Sequence, residues 1–385
     1  MKICAIICEF NPFHNGHAYL LEQAKKLTGC DKILCIMSGY FTQRGEIAVI
    51  DKYSRARHAV LGGADCVIEL PTAFAVAPAE IFATGAVKIL SSIPDVKALI
   101  FGCETADKDL LYKTADFCLN ETEDFKRTLN KGLQSGESYI KSFVSAFEQS
   151  GGCGELLKKP NNVLAVEYVK AIIKSNADLD IYPLKRIGSN YNDENLTEGL
   201  SSARAIRENL NDGKVAVNVP EYVYSDLKNT ENPSREFEKA AKLVLSRTSA
   251  NELKKIYGCA EGLENTLKNL EYGTYQSIVK NATTKRYSSA RIKRIICSAF
   301  LGITKNNVEN FLSAPLYLSP LAVNRNCADE MLSSLSKSVY PLITNGRNAQ
   351  NLQGVAKKCK KLDEFATAQW QQITDYNIDN KLILI

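Results

Sequence analysis

The sequence predicts an α/β fold in which a parallel sheet with helices on both faces is followed by a mainly α-helical C-terminal domain. Three observations support this. Short continuous apolar runs recur through the first hundred residues, as strands buried on both faces require. Helical stretches separate these runs, and strand–helix alternation marks parallel βα units. From about residue 216 the strand-like runs give way to helical periodicity.

In chain order, the apolar runs are Lys2 to Cys8 (KICAIIC), Lys32 to Met37 (KILCIM), Ala64 to Leu70 (ADCVIEL) and Val96 to Gly102 (VKALIFG). Helices are expected at His17 to Leu27, Asp51 to Gly62 and Ala79 to Leu90. A polar helical region follows from about Lys108 to Glu155, and then a helix from Asn162 to Ile173. Ile181 to Ile187 reads as an edge or late strand. Ser202 to Leu210 is a helix stopped by Asn211-Asp212-Gly213. Further helices are expected at Arg235 to Leu245, Ala250 to Ile256, Leu263 to Leu270, Tyr275 to Lys280 and Ser289 to Leu301. The pattern divides the chain into residues 1–215 and 216–385.

A chain of 385 residues is long enough for two or three domains at roughly 100–200 residues each. Apolar and charged fractions are those of a folded soluble protein. The net charge of +5 is unevenly spread, about −2 over residues 1–215 and about +7 over 216–385. A polyanion should therefore meet the second half. The 12 cysteines show no Cys-x-x-Cys spacing and read as free core thiols. The opening apolar run is too short for a signal core and is followed by Glu9, so the reducing cytoplasm is the expected location. No stretch approaches the roughly 18 apolar residues of a membrane helix.

The chemistry is concentrated where the first strand meets the first helix. There Glu9-Phe10-Asn11-Pro12-Phe13 leads into His14-Asn15-Gly16-His17. A helix start after a strand offers unpaired amides and a positive dipole end to phosphate oxygens. Gly16 has no β-carbon, so a ligand can approach the backbone. His14 and His17, three apart, share one side of the first turn, and two imidazoles there could stabilise the charge on departing pyrophosphate. A histidine at a helix start also commonly serves as a cap. Zinc is a further alternative, although the spacing is not i, i+4 and no third ligand is apparent; no metal site is assigned. The chain has 3 histidines, and two of them are in this turn.

Asn11-Pro12-Phe13-His14-Asn15-Gly16-His17 resembles the HxGH signature of the nucleotidyltransferase superfamily, which also includes class I aminoacyl-tRNA synthetases. It implies a Rossmann-like domain and α-phosphate chemistry. Met37-Ser38-Gly39-Tyr40-Phe41-Thr42-Gln43-Arg44-Gly45-Glu46, Val67-Ile68-Glu69-Leu70-Pro71, Phe101-Gly102-Cys103-Glu104, Lys159-Pro160-Asn161-Asn162 and Thr284-Lys285-Arg286-Tyr287 follow in order. Together they resemble the bacterial tRNA(Met) cytidine acetate ligase family across almost the full chain. That resemblance implies acetylation of N4 of the wobble cytidine in elongator tRNA(Met), through acetyl-adenylate formed from acetate and ATP with release of pyrophosphate. Magnesium is expected with ATP.

The resemblance also assigns roles. It implies that Ile7, Cys8, Glu9, Phe10, Asn11, Pro12, Phe13, His14, Asn15, Gly16, His17, Ala18, Tyr19 and Leu20 form an ATP-binding segment, with His14 and His17 at the phosphates. Gly102, Asn162, Arg186 and Ile187 match further nucleotide contacts. From the residues alone, Gly102 also reads as a turn glycine, Asn162 as an N-cap and Arg186 as a solvated charge. Ser202-Ala203-Arg204-Ala205-Ile206-Arg207 resembles the superfamily's Ser-x-Thr-x-Ile-Arg segment, with Arg204 in place of threonine. Ser202 and Arg207 remain candidates there for the ATP phosphates.

Arg44 is expected on the same sheet edge, clamping a phosphate or the tRNA, or else pairing with Glu46. In the second half, Lys285 to Arg294 holds five positive charges and no acidic residue. Lys285, Arg286, Tyr287, Arg291 and Arg294 are therefore read as RNA contacts, the tyrosine as a stacking partner, against the alternative of a solvated helix face. Lys357-Lys358-Cys359-Lys360-Lys361 is a second basic spot. No protein partner is readable. Two rival readings remain, a small-molecule adenylyltransferase and a non-catalytic RNA-binding protein on the same fold.

Overall fold

The computed structural model describes residues 1–137, 139–186, 196, 199–378 and 381–385. These residues form one seven-stranded sheet in the order β5-β4-β1-β2-β3-β6-β7. Its strands are β1 (Ile3–Cys8), β2 (Lys32–Ser38), β3 (Cys66–Leu70), β4 (Val96–Cys103), β5 (Asp180–Lys185), β6 (Pro320–Val323) and β7 (Ile383–Leu384). The first five are parallel, each within about two residues of its expected bounds. β5 is the edge strand, as expected, and an edge tolerates its Pro183.

Period-two alternation explains why β1 is apolar throughout. Ile3, Ala5 and Ile7 join the core on one face of the sheet, and Cys4, Ile6 and Cys8 join the core on the other. Each fully buried aliphatic side chain of this kind contributes roughly 1.5–3 kcal/mol. Ten of the cysteines are buried, Cys118 is half-buried and Cys153 is exposed; all twelve are free thiols. Burial pushes the Cys4 and Cys103 thiols up to about 12, consistent with inert core residues.

The second half is mainly helical, as predicted, but it also contributes to the sheet. β6 pairs antiparallel with β3, and β7 pairs with β6. A four-residue strand opening on proline carries too little periodicity to be read in advance. One core runs from Ile3 through Phe237 and Ile295 to Trp370, so residues from both sides of the expected 215/216 boundary share it. Among the described residues no helix is long and apolar enough to cross a membrane.

Strand order places the site. From β1 the chain builds outward through β2 and β3, then returns to put β4 on the other side of β1. The crevice at the carboxyl ends of β1 and β4 is the switch point where open α/β sheets bind ligands. Fully buried Arg55 ties the neighbouring ends together, donating to the Glu9, Ser38, Gly39 and Ile50 carbonyls. Nothing in the pattern around Arg55 foretold that role.

Candidate active site

A two-lobed cleft opens at this crevice. The larger lobe, with about 1060 Å³ of space including its open mouth, is walled by the ends of β1 and β4, the 43–44 loop and the 202–207 segment. The smaller lobe, about 740 Å³ on the same measure, lies between the Asn15–Thr28 helix and the end of β5. His14, His17, Leu20, Gly102 and Arg186 line both.

The histidines occupy this junction because they cap the helix. His14 Nδ1 accepts from Gly16 N–H at 3.0 Å, and His17 Nδ1 accepts from His14 N–H at 3.3 Å, a reciprocal capping box. The rings stack with centroids 3.7 Å apart. Phe10 lies edge-on to His17 at 4.8 Å, and its φ of 46° is a left-handed conformation that a side chain adopts only at a cost of about 1–2 kcal/mol. With each Nδ1 accepting, the proton of each neutral ring is assigned to Nε2. The capping and phosphate readings are thus compatible, one nitrogen of each ring serving each purpose. These bonds engage only Nδ1 of each ring, and among the described residues no group of three or more His, Cys, Asp or Glu side chains could hold a metal ion.

One expectation for this turn is corrected. The amides expected to meet phosphate are already engaged: Asn15 N–H by the Asn218 carbonyl, Gly16 N–H by His14 Nδ1 and His17 N–H by the His14 carbonyl. Gly16 serves the cap as well as lining the smaller lobe, since a β-carbon there would lie 2.9 Å from His14 Cε1.

Burial holds the His14 imidazole down to about 3, with Arg186 and Arg207 adding to the effect. Burial likewise holds His17 well below its ordinary range, followed by His14 and Arg186. Both rings are therefore neutral N–H donors in the free protein. The imidazole Cε1–H NMR shifts of His14 and His17 in the free protein should show no titration near 6.5; protonation of His14 sets in only as pH falls toward about 3. A step at 6–7 in either signal would refute the assignment.

Of the other predicted residues, Ile7, Cys8, Glu9, Phe10 and Asn11 line the larger lobe, and Gly16, Tyr19 and Leu20 the smaller. Pro12, Phe13 and Ala18 do not line either lobe. Phe13 is buried beneath the turn, edge-on to Phe10 at 5.1 Å. Asn15 Nδ2 donates to the Gly199 and Val217 carbonyls, fastening the later segment to the helix start. Gly102 leaves room for Arg186, whose Cγ would lie 3.3 Å from a β-carbon there. Ile187 lies outside the described residues.

Asn162 is placed differently. It is fully buried, and its Oδ1 accepts from Glu104 N–H and Thr105 N–H at 3.0 and 2.9 Å. Glu104 in turn accepts from the Asn161 side chain and Asn162 N–H. Asn162 is therefore neither an N-cap nor part of the cleft wall. It braces the loop after β4, while its neighbour Asn161 faces the cleft. Ser202 caps its own short helix by accepting from Ala205 N–H at 3.0 Å. Arg207 donates to the Asn11 carbonyl at 2.7 Å and to Glu46 at 3.0 Å.

Arg44 lines the larger lobe beside Arg204. Glu46 pairs with Arg207 and also with Lys293 at 2.9 Å. Burial alone would raise its carboxyl, but Arg207 and Lys293 outweigh it and hold the group below its ordinary value. Lys293 belongs to the Ser289–Leu301 helix, where Arg294 donates to the Gln43 carbonyl.

The basic segment is thus partly internal. Tyr287 is buried, its hydroxyl is within hydrogen-bond reach of the Ala260 carbonyl and Glu261, and Arg291 covers its ring, which takes the place a base would need. Arg291 lies over the Tyr287 ring at 4.7 Å and donates to the Gly258 carbonyl. These groups join the helix to its neighbours because that helix docks on the 43–46 loop, close enough that a β-carbon on Gly45 would meet the Arg294 backbone at 2.5 Å. Lys285 and Arg286 are exposed. The residues of the larger lobe that sequence reasoning missed are Gln43, Phe82, Phe101, Asn161, Leu164, Tyr168, Ala203 and Arg204. Asn161, Leu164 and Tyr168 share a helix face by their spacing, which was the available signal.

A parallel sheet whose switch point carries an HxGH imidazole pair defines a nucleotidyl transferase, and the family model described as HIGH Nucleotidyl Transferase matches residues 1–382. Within that class the chain belongs to the tRNA(Met) cytidine acetate ligase family. It is 33% identical to the ligase of Acetivibrio thermocellus over 365 residues, 89% of this chain and 88% of that one. With the Clostridium novyi ligase it shares 37% over 330 residues, covering 80% and 81%. Among solved structures, Thermotoga maritima TmcAL bound with alpha-thio ATP is 26% identical, with a TM-score of 0.88 and 100% of both chains covered. The apo form of the same protein gives a TM-score of 0.92, again over 100% of both.

Proposed function

We propose that the chain is an ATP-dependent ligase that joins acetate to N4 of the wobble cytidine in elongator tRNA(Met). The observation that carries this reading is the pair of neutral imidazole donors at the junction of a two-lobed cleft, in a chain that matches the family along its length. An acetate oxygen attacks the α-phosphorus of ATP, the bond to pyrophosphate breaks, and acetyl-adenylate forms. Carboxylate carbon is a poor electrophile until its oxygen becomes a good leaving group, and AMP supplies that group. The Nε2–H donors of His14 and His17, with Arg186 beside them, meet the charge that builds on the phosphoryl oxygens. Such donors need no reorganisation as the charge develops, because capping has already fixed the rings.

Arg207, Ser202 and Asn162 serve this site by holding its walls: the Asn11 turn, the 202–207 segment and the 104–105 loop. Magnesium is expected to enter with ATP. Among the described residues no group of three or more His, Cys, Asp or Glu side chains could hold a metal ion, so phosphate oxygens and water would supply most of its ligands. The buried free thiols and a tRNA substrate suit the cytoplasm.

For tRNA, the exposed Lys285 and Arg286 and the cleft-lining Arg44 remain the candidate contacts. Changing Lys285 and Arg286 together to alanine should weaken tRNA binding and reduce the slope of log affinity against log salt by about 1–2, the loss of two phosphate contacts. Affinities measured at several salt concentrations check this; an unchanged slope would remove both residues from the interface. The reaction itself is tested by incubating the protein with ATP, labelled acetate and unmodified tRNA, then digesting the RNA for nucleoside mass spectrometry. Labelled N4-acetylcytidine is expected. AMP transfer to a small phosphorylated acceptor, with no labelled nucleoside, would replace this reading with a small-molecule adenylyltransferase.

A further inference from the structure

We propose that the apolar bay of the larger lobe seats the acyl group together with the target cytosine, and that the Glu9 carboxylate accepts the N4 proton during acyl transfer. This rests on the ligase reading above and deepens it. The two lobes meet at the histidines, where the α-phosphate belongs. The smaller lobe, with Leu20, Leu184 and Leu200 around Gly16, offers an apolar slot for the nucleoside of ATP. The larger lobe carries Arg204 for the departing pyrophosphate, with Arg44 beside it, and beyond them the bay formed by Ile7, Phe82, Phe101, Leu164 and Tyr168.

The ends of β2 and β3 are covered. The Gly354–Thr374 helix sits there, with Asp363 accepting from Thr72 N–H at 2.8 Å and Trp370 Nε1–H donating to the Ala48 carbonyl at 2.9 Å. Buried Lys52 and Glu69 fill the space beneath it. The bay is therefore the side from which an acceptor can reach the mixed anhydride. Phe82, Phe101 and Tyr168 border the bay from the core, 3%, 4% and 5% exposed, so they offer an apolar wall for a base drawn out of its stack.

Glu9 stands at the end of β1, in the wall of the same lobe. Its Oε1 accepts from Gln43 N–H at 2.7 Å, and among the described residues no donor engages Oε2. Burial raises its carboxyl above the ordinary value, against the pull of the Gln43 amide, Arg207 and Arg44, which strengthens it as a base. In the transfer the N4 lone pair forms a bond to the carbonyl carbon and the tetrahedral adduct loses its N4 proton to Glu9 Oε2. The carbon–oxygen bond to AMP then breaks with its electron pair staying on AMP, and Glu9 returns the proton to solvent.

The test separates the two half-reactions on a single preparation of Glu9→Gln. Acetyl-adenylate is measured by mass spectrometry without tRNA, and acetyl transfer is followed in a single turnover after tRNA is added. The ratio of transfer to adenylation rates is expected to fall about 100-fold or more, the usual contribution of a general base; any loss of folded protein cancels in that ratio. Tyr168→Leu should raise the tRNA concentration needed for half-maximal transfer roughly tenfold, the effect of losing one aromatic wall of the bay. A ratio within twofold of wild type overturns the proposal. A wild-type protein that makes adenylate but acetylates no tRNA overturns the ligase reading itself, and this proposal with it.

Discussion

Replacing His17 with alanine is expected to slow acetyl-adenylate formation by roughly 10²–10³-fold, the cost of removing one pre-aimed donor from a site of developing charge. Affinity for tRNA should stay close to wild type, because the ring lines the cleft where its two lobes meet and is not among the basic candidates for tRNA contact. His14→Ala should cause a loss of similar size and also uncap the Asn15–Thr28 helix, leaving Gly16 N–H without its acceptor, which destabilises by about 1 kcal/mol. His14→Asn separates the two roles. Asparagine is a good N-cap and should restore stability in a urea titration, but its short side chain cannot place a donor where His14 Nε2–H stands. Full recovery of adenylation in that variant, or near-normal rates in either alanine variant, would show that the imidazoles are structural caps alone.

Glu69→Leu is the substitution expected to cost the most stability. Lys52 Nζ lies 2.7 and 2.8 Å from the two Glu69 oxygens, with side chains 4% and 2% exposed. Removing one partner strands the other charge in the interior, a loss of about 3–5 kcal/mol. Neighbouring groups cannot take over: Asp363 is occupied by the Tyr317 hydroxyl and Thr72 N–H, and a β-carbon on Gly39 would lie 2.5 Å from Glu69 Oε1, so the backbone is already close. Lys52→Met combined with Glu69→Leu should recover most of the loss, since two apolar side chains of similar volume leave no unpaired charge. Urea midpoints for the two single variants and the double variant form the cycle. A double variant no better than the sum of the singles would deny the coupling.

The local features of this protein were legible because they depend on near neighbours in sequence. The four buried strands, the Ala79–Leu90 and Ser289–Leu301 helices and the His-Asn-Gly-His turn all follow from periodicity, capping and spacing. What misled was reading accessibility from charge. Tyr287, Arg291 and Arg294 look like an RNA surface in one dimension, yet their partners are Glu261, Gly258 and Gln43, and the last of these lies some 250 residues away.

The HxGH turn illustrates both sides. Residue types and spacing set the chemistry available there, since a glycine between two histidines at i and i+3 permits the reciprocal cap. Folding settled which groups face the ligand: the amides turned inward to the cap and to Asn218, and the Nε2–H groups turned outward. It also set the acceptor side, by laying the Gly354–Thr374 helix over β2 and β3 and leaving open the bay beside β4. Contacts between segments hundreds of residues apart leave no periodicity in the chain. Their geometry exists only once the sheet has aligned the strand ends and the core has packed against it.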